Sequence, residues 1–174
     1  MTKDAAFANI IHKKLQKQMI KVRLQIADGN IEDTADKYGL VYLSADNRFA
    51  APTKGYEVSK YPEQPGSNII PKTVDDEFDY TTKFFVKADG NIDNANAVIA
   101  AFNALLYTED EDHVKTFKQV SFYNDYKKVK IVGYPNPIEE ATDFWRDSNG
   151  KVADVVCVEW TIKVNNPTLC DFNI

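Results

Sequence analysis

Two histidines, two cysteines and three runs of carboxylates are the side chains of this chain that could do chemistry, and their spacing decides which chemistry. His12 lies in a lysine-rich stretch, and His113 lies far along the chain beside the acidic run Glu109-Asp110-Glu111-Asp112. Neither neighbourhood offers a nucleophile with an orienting group, which covalent catalysis requires, so both read as surface histidines. Cys157 falls inside an alternating apolar pattern and Cys170 near the C-terminus. No metal-ligand spacing links them, and unpaired thiols are the expectation. Asp75-Asp76-Glu77, the 109–112 run and Glu139-Glu140 crowd carboxylates in sequence. A glycosidase instead needs two carboxyls held about 5–9 Å apart across a cleft, so these runs read as solubilising surface. Asp28-Gly29-Asn30-Ile31-Glu32 and Asp89-Gly90-Asn91-Ile92-Asp93 open like calcium loops. An EF-hand loop also needs Gly at its sixth position and Glu at its twelfth. Asp33 and Asn94 stand at the sixth, Gly39 and Ala100 at the twelfth. Both fail, and the repeated tetrapeptide reads as one turn used twice for the same backbone reason. No enzyme, cofactor or metal site is expected.

The aromatic residues leave two options open. Tyr56, Tyr61, Tyr123, Tyr126, Tyr134 and Trp145 could stack on a sugar, as in a carbohydrate-binding β-sandwich module. They could equally serve a protein interface, where an apolar body and a polar tip suit a half-wet surface. The interface needs less special geometry. A chain of 174 residues with 44% hydrophobic and 27% charged residues fits a single domain with a substantial core. Its net charge of −5 argues against nucleic acid as the main partner, since that affinity comes largely from neutralising phosphates. Lys3, Lys13, Lys14, Lys17, Lys21 and Arg23 make the N-terminal segment basic, which reads as a solvated helix face. Residues 1–20 lack the continuous apolar run of a secretory signal, and no stretch approaches the roughly 18 apolar residues of a membrane span. Synthesis in the cytoplasm without a membrane partner is the expectation.

The elements that must position these residues centre on positions 77–107. Phe78, Tyr80, Thr82, Phe84, Val86 and Ala88 alternate with Asp79, Thr81, Lys83 and Lys87, the signature of a half-buried strand over 77–88. A helix over 93–107 follows, capped by Asp93, with Ala95, Val98, Ile99, Phe102, Leu105 and Leu106 as its apolar stripe. Residues 4–18 predict an N-terminal helix with Phe7, Ile10, Ile11 and Leu15 on one side, and 19–27 a strand. Residues 31–38 read as a loop or one helical turn, 40–43 and 56–61 as short strands, and 62–71, with three prolines and a glycine, as a surface loop. Strands over 116–123 and 126–134 flank a two-residue turn at Asn124-Asp125, and 138–150 is an excursion carrying Phe144 and Trp145. The closing strand runs over 151–164, with Val152, Val156, Val158, Trp160, Ile162 and Val164 on one face. Without a Gly-rich phosphate loop or regular strand–helix alternation, a parallel nucleotide-binding sheet is not the expectation. The pattern predicts an α+β, mainly β fold. It is an antiparallel β-sandwich or open barrel with one flanking helix and an extra N-terminal helix.

The order of parts over residues 40–165 resembles the bacteriophage tail-tube and distal-tail superfamily. An extended Gly/Pro loop leads to a long strand, a single helix, a hairpin and a closing strand. The resemblance implies a structural protein that forms ring-shaped homo-oligomers and contacts other tail-like proteins, incorporated into a phage-tail-like particle. A ring protomer must expose sheet edges or loops to its neighbour. Tyr56, Tyr61, Pro62, Pro65, Ile69, Ile70, Tyr134 and Trp145 are the candidate interface residues, with the acidic 109–112 loop as a further contact.

Overall fold

The computed structural model of the chain describes residues 22–48, 50–53, 57–59, 68–70, 75–139, 141–143, 146 and 148–174, with backbone alone for 57–59, 68–70 and 142–143. In chain order the strands are β1 (Val22–Ile26), β2 (Ile31–Asp33), β3 (Val41–Ala45), β4 (Glu57–Ser59), β5 (Asn68–Ile70) and β6 (Phe78–Lys87), then β7 (Tyr107–Glu109), β8 (Lys115–Phe117), β9 (Val120–Asn124), β10 (Val129–Pro135), β11 (Ala141–Asp143) and β12 (Val155–Val164). The helices are α1 (Thr34–Tyr38) and α2 (Ile92–Leu105). The expected N-terminal helix over 4–18, and residues 19–21, lie outside the described residues.

Period-2 alternation makes β6 and β12 the two long strands, and they pair antiparallel along their whole length, from Phe78↔Val164 to Lys87↔Val155. One face of the pair carries Phe78, Tyr80, Phe84 and Val86 beside Val156, Val158, Trp160, Ile162 and Val164, all buried. Burial of a large apolar side chain contributes about 1.5–3 kcal/mol, so this face is the main source of stability. Thr82, also buried, satisfies its hydroxyl by donating to the Ser44 carbonyl at 3.1 Å. The opposite face carries polar pairs, Lys83 with Glu159 at 3.4 Å and Thr81 with Thr161 at 3.2 Å, toward one end of the two strands.

The main sheet is antiparallel, runs β2-β1-β9-β10-β12-β6-β3, and does not close into a barrel. It doubles back so that Phe122 on β9 meets Tyr80, Phe84 and Trp160 at ring separations of 6.1, 6.3 and 5.9 Å. The corner is β10. Residues Val129 to Gly133 pair with β9, whereas Tyr134 and Pro135 pair with β12. A Cβ on Gly133 would lie 2.4 Å from the Lys163 carbonyl oxygen, so only glycine admits the crossing strand here. Below the corner the chain end takes over as neighbour of β10, through Lys130 N–H to Asp171 O at 2.7 Å and the reverse bond at 2.8 Å. Between these two partners Val132 N–H donates to the Cys170 thiol at 3.3 Å. Cys157 and Cys170 are not joined by a disulfide.

The helices close what remains of the buried face. Asn91 caps α2 by accepting from Asp93 N–H at 3.0 Å. The expected cap, Asp93, sits inside the first turn, because the free N–H groups begin earlier than the sequence pattern suggested. Ala95, Ile99, Phe102 and Leu106 form the buried stripe, while Leu105 is 45% exposed. At 3.6 residues per turn Leu105 lies about a quarter-turn off that stripe. Phe102 packs edge-on against Trp160 at 5.4 Å and against Tyr38 of α1 at 5.6 Å. The Asn103 amide donates to Ile138 O at 2.7 Å and accepts from Ile138 N–H at 2.9 Å, so the strand-like segment after β10 is held to the helix.

Several expected boundaries shift, each for a backbone reason. Residues 31–38 form β2 and α1, capped by the Asp33 carboxylate, which accepts from Ala35 and Asp36 N–H groups. The strand expected over 116–123 is split, because Lys118 N–H turns to the Leu106 carbonyl at 2.8 Å and leaves β8 to pair with β7. The turn after β9 has four residues, not two: Asn124 pairs with Val129, its side chain accepts from Lys127 N–H, and Lys128 takes a φ of 58°. Part of the expected 62–71 loop is strand, since β5 pairs with β4 as a ribbon outside the main sheet. The two Asp-Gly-Asn-Ile turns differ. The first lies in the β1–β2 hairpin, where Ala27 takes the positive φ, and the second places Asp89 and Gly90 at positive φ ahead of α2. The closing strand begins at Val155, because the Asp154 carbonyl accepts from Ala88 and Asp89 N–H groups.

Two substitutions test this architecture by denaturant unfolding. Gly133→Ala should lower stability by about 3 kcal/mol through the backbone clash at the corner. Asn103→Ala should cost about 2 kcal/mol by releasing both hydrogen bonds to Ile138.

Candidate functional site

An open sheet has two terminal strands, and here they differ in character. β2 is three residues long, runs directly into α1, and supplies Asp33 as the cap of that helix. α1 then packs on β1, β2 and β3, spanning the gap between the sheet ends. β3 is longer, and among the described residues its outer edge pairs with no strand. Val41 and Leu43 on it are 49% and 42% exposed. The register explains their exposure. Val41 opposes Phe85, Tyr42 opposes Phe84, and Ser44 opposes Lys83, so Leu43 is the extra residue of a bulge. Phe85 in turn opposes Cys157. Val41, Phe85 and Cys157 therefore form an apolar row across three strands on the outer face, with the exposed Val155 two residues along β12.

Behind this edge lie buried polar groups. The Tyr42 ring packs on Phe84 at 6.5 Å, and the phenols of Tyr42 and Tyr80 both approach the side chain of Asn124, which is fully buried. Asn124 also accepts from Lys127 N–H at 3.0 Å and so ties the β9–β10 turn to the core. Burial is the main cause pushing both phenols above the ordinary tyrosine range, and the nearby Asn124 side chain only partly opposes it. Burial likewise raises the Cys170 thiol, ahead of the opposing effects of the Val132 backbone and Lys130.

Of the expected interface residues, Tyr134 is exposed, at the end of β10 opposite Lys163. Ile69 and Ile70 lie in β5, where their backbones pair with Val58 and Glu57. Tyr56, Tyr61, Pro62, Pro65 and Trp145 lie outside the described residues. The excursion that carries most of them is closed at its base by a bridge between Thr53 and Asp75 and by Asp76 N–H donating to Pro52 O at 2.6 Å. Tyr134 and the β3 edge are not brought together, since β12 and β6 stand between them. Tyr123 lies under the Arg23 guanidinium and the Lys130 ammonium, Tyr126 lies in the β9–β10 turn, and Tyr134 lies at the far end of β10. These three rings form no common platform.

The acidic run makes the tip of the β7–β8 hairpin. The Asp110 carboxylate accepts from Asp112 and Val114 N–H groups at 3.0 and 2.8 Å, and Glu109 meets His113 at 2.7 Å. Among the described residues no three His, Cys, Asp or Glu side chains gather where they could hold a metal ion, and no helix is long and apolar enough to cross a membrane. Sequence reading missed Val41, Leu43, Phe85 and Val155. The available signal was an apolar residue on the wet face of each long strand, Phe85 and Val155, in positions that the register places near one another.

No family model and no curated protein matches the chain. Among solved structures it is similar to the Dit protein (gp 19.1) of SPP1, described as a paradigm of hub adsorption apparatus in phages that infect Gram-positive bacteria. The match has a TM-score of 0.48 and 15% sequence identity, and covers 84% of this chain and 50% of that one. The chain thus spans half the length of that protein.

The raised phenols give a pH test. A tyrosine held protonated by folding contributes stability that is fully present below the unfolded value of 10.0 and lost as pH rises toward the folded value. Unfolding midpoints should stay level up to about pH 10 as far as these groups are concerned, then fall, and Tyr80→Phe should flatten that alkaline decline.

Proposed function

We propose that the chain is a structural, self-associating phage-tail-like protein, of tube or distal-tail type, that assembles into rings through its sheet edge. The observation that carries this reading is the β3 edge, which pairs with no strand among the described residues and turns Val41 and Leu43 outward beside Phe85. Natural sheets protect an exposed edge with charge, proline or a covering element, because unpaired N–H and C=O groups recruit further strands. No charged residue stands between Val41 and Ala45, and the bulge places one more apolar side chain outward. Such an edge is suited to strand addition, in which main-chain hydrogen bonds supply affinity and alternate side chains supply specificity.

The element order supports the tail-like form of this reading. The closed-base arm with β4 and β5 leads to β6, then to α2, the β7–β8 hairpin, the β9–β10 hairpin and β12. With the β7–β8 hairpin added, that is the order that resembles the tail-tube and distal-tail superfamily. Partners in this reading are further copies of the chain and other tail-like proteins, and its site of action is a tail-like particle.

Light scattering over a concentration series tests the proposal. The parent chain should pass from monomer to a defined ring-sized species. Leu43→Lys should weaken that association on the order of tenfold or more while shifting folding stability by no more than about 0.5 kcal/mol. A parent that stays monomeric at all concentrations would sink the reading.

A further inference from the structure

The β3 edge carries neither of the two commonest devices that keep a free strand from pairing. Val41–Ala45 holds no charged residue and no proline, and α1 packs on β1, β2 and β3 without pairing with this edge. A further device in natural sheets is a helix or loop laid over the edge. The described residues begin at Val22, the first residue of β1, and that start lies beside β3. Val22 opposes Asn124, whose buried side chain approaches the Tyr42 phenol on β3. In the turn that follows, Lys127 bonds to Asn47, just beyond the end of β3. Residues 1–21 therefore join the body at the Asn47 end of the open edge. Their sequence carries Phe7, Ile10, Ile11 and Leu15 on one side of the helix predicted over 4–18. Leu15 stands seven residues before Val22, a stretch that spans at most about 25 Å. Along the strand, Leu43 lies about 13 Å from Asn47 and Val41 about 20 Å, and Phe85 is one strand spacing further, about 5 Å. The apolar side of the segment can thus reach the exposed Val41 and Leu43 and the half-buried Phe85 of its own copy.

We infer that residues 1–21 fold back on their own copy and lay Phe7, Ile10, Ile11 and Leu15 over Val41, Leu43 and Phe85, covering the β3 edge until a neighbouring copy displaces them. The inference rests on the self-association reading and deepens it by naming what regulates the edge. The tether favours the segment's own copy, because a linker that matches the span gives an effective concentration on the order of millimolar. Burial of the exposed apolar side chains supplies the driving force. An edge open one-tenth of the time binds its partner about tenfold more weakly than a bare edge, so the cover holds back pairing when the chain is dilute.

The test places a thiol on each side of the contact, Ile11→Cys with Leu43→Cys in the full chain, and treats dilute protein with a short bismaleimide. Digestion and mass spectrometry separate the 11–43 link from links to Cys157 or Cys170. The expected result is an 11–43 link inside chains of monomer mass, formed faster in the folded protein than in urea. A second variant, Phe7→Ser with Ile11→Ser, should associate about tenfold more tightly than the parent in light scattering, with thermal unfolding checking that it folds. An 11–43 link no faster than in urea, or association unchanged in the second variant, would overturn the inference and leave the self-association reading standing. An 11–43 link formed only between two chains would overturn it in favour of a second copy as the occupant. A parent that never associates would overturn the self-association reading and the regulatory role with it, even where the link forms within one chain.

Discussion

The rest of the structure depends on the antiparallel pairing of β6 with β12 and on the continuous apolar face it creates. Trp160 stands at the centre of that face, in contact with Phe84 on the neighbouring strand, Phe122 from the folded-over part of the sheet and Phe102 from α2. Each of these rings belongs to a different element, so each element finds its place by covering the same surface. Aromatic pairs of this kind prefer edge-to-face and tilted geometries, which fix orientation as well as proximity.

The corner at β10 turns one sheet into two facing layers. A strand that changes partners leaves backbone groups unpaired at the switch, and buried groups of that kind are costly. The chain meets the requirement in three ways. Gly133 lets β12 approach, the chain end pairs at Lys130, and the Cys170 thiol accepts from Val132 N–H between them. Phe172 then packs on Phe78 at 6.2 Å and anchors the chain end to the core. The cysteine is thus a hydrogen-bonding part of the corner, and its burial keeps the thiol protonated.

What the molecule offers to others follows from what the core leaves over. The sheet stops at β3 because no further strand is available among the described residues, and α1 packs on β1, β2 and β3 without pairing with the β3 edge.

The long elements were legible in the sequence because each carries its own periodicity. The alternation at 77–88 and 151–164 and the helical stripe from Ala95 to Leu106 report burial on one face, whatever the partner is. Their local ends were less legible, since Asn91, Asp154 and Lys118 act through single hydrogen bonds to residues that folding brings near. The surface was least legible of all. Val41 and Leu43 look like ordinary strand residues in a linear reading, Phe85 and Val155 are single apolar residues on otherwise wet faces, and Tyr134 looks like a contact residue without a neighbour. The sequence by itself determined the mainly β class, the two long strands, the central helix and the absence of a recognisable catalytic motif, because these are properties of residue type and period. Only the tertiary structure decided the strand order, the corner at Gly133 and the choice of β3 as the open edge. Those depend on register between segments far apart in the chain, which local pattern does not encode.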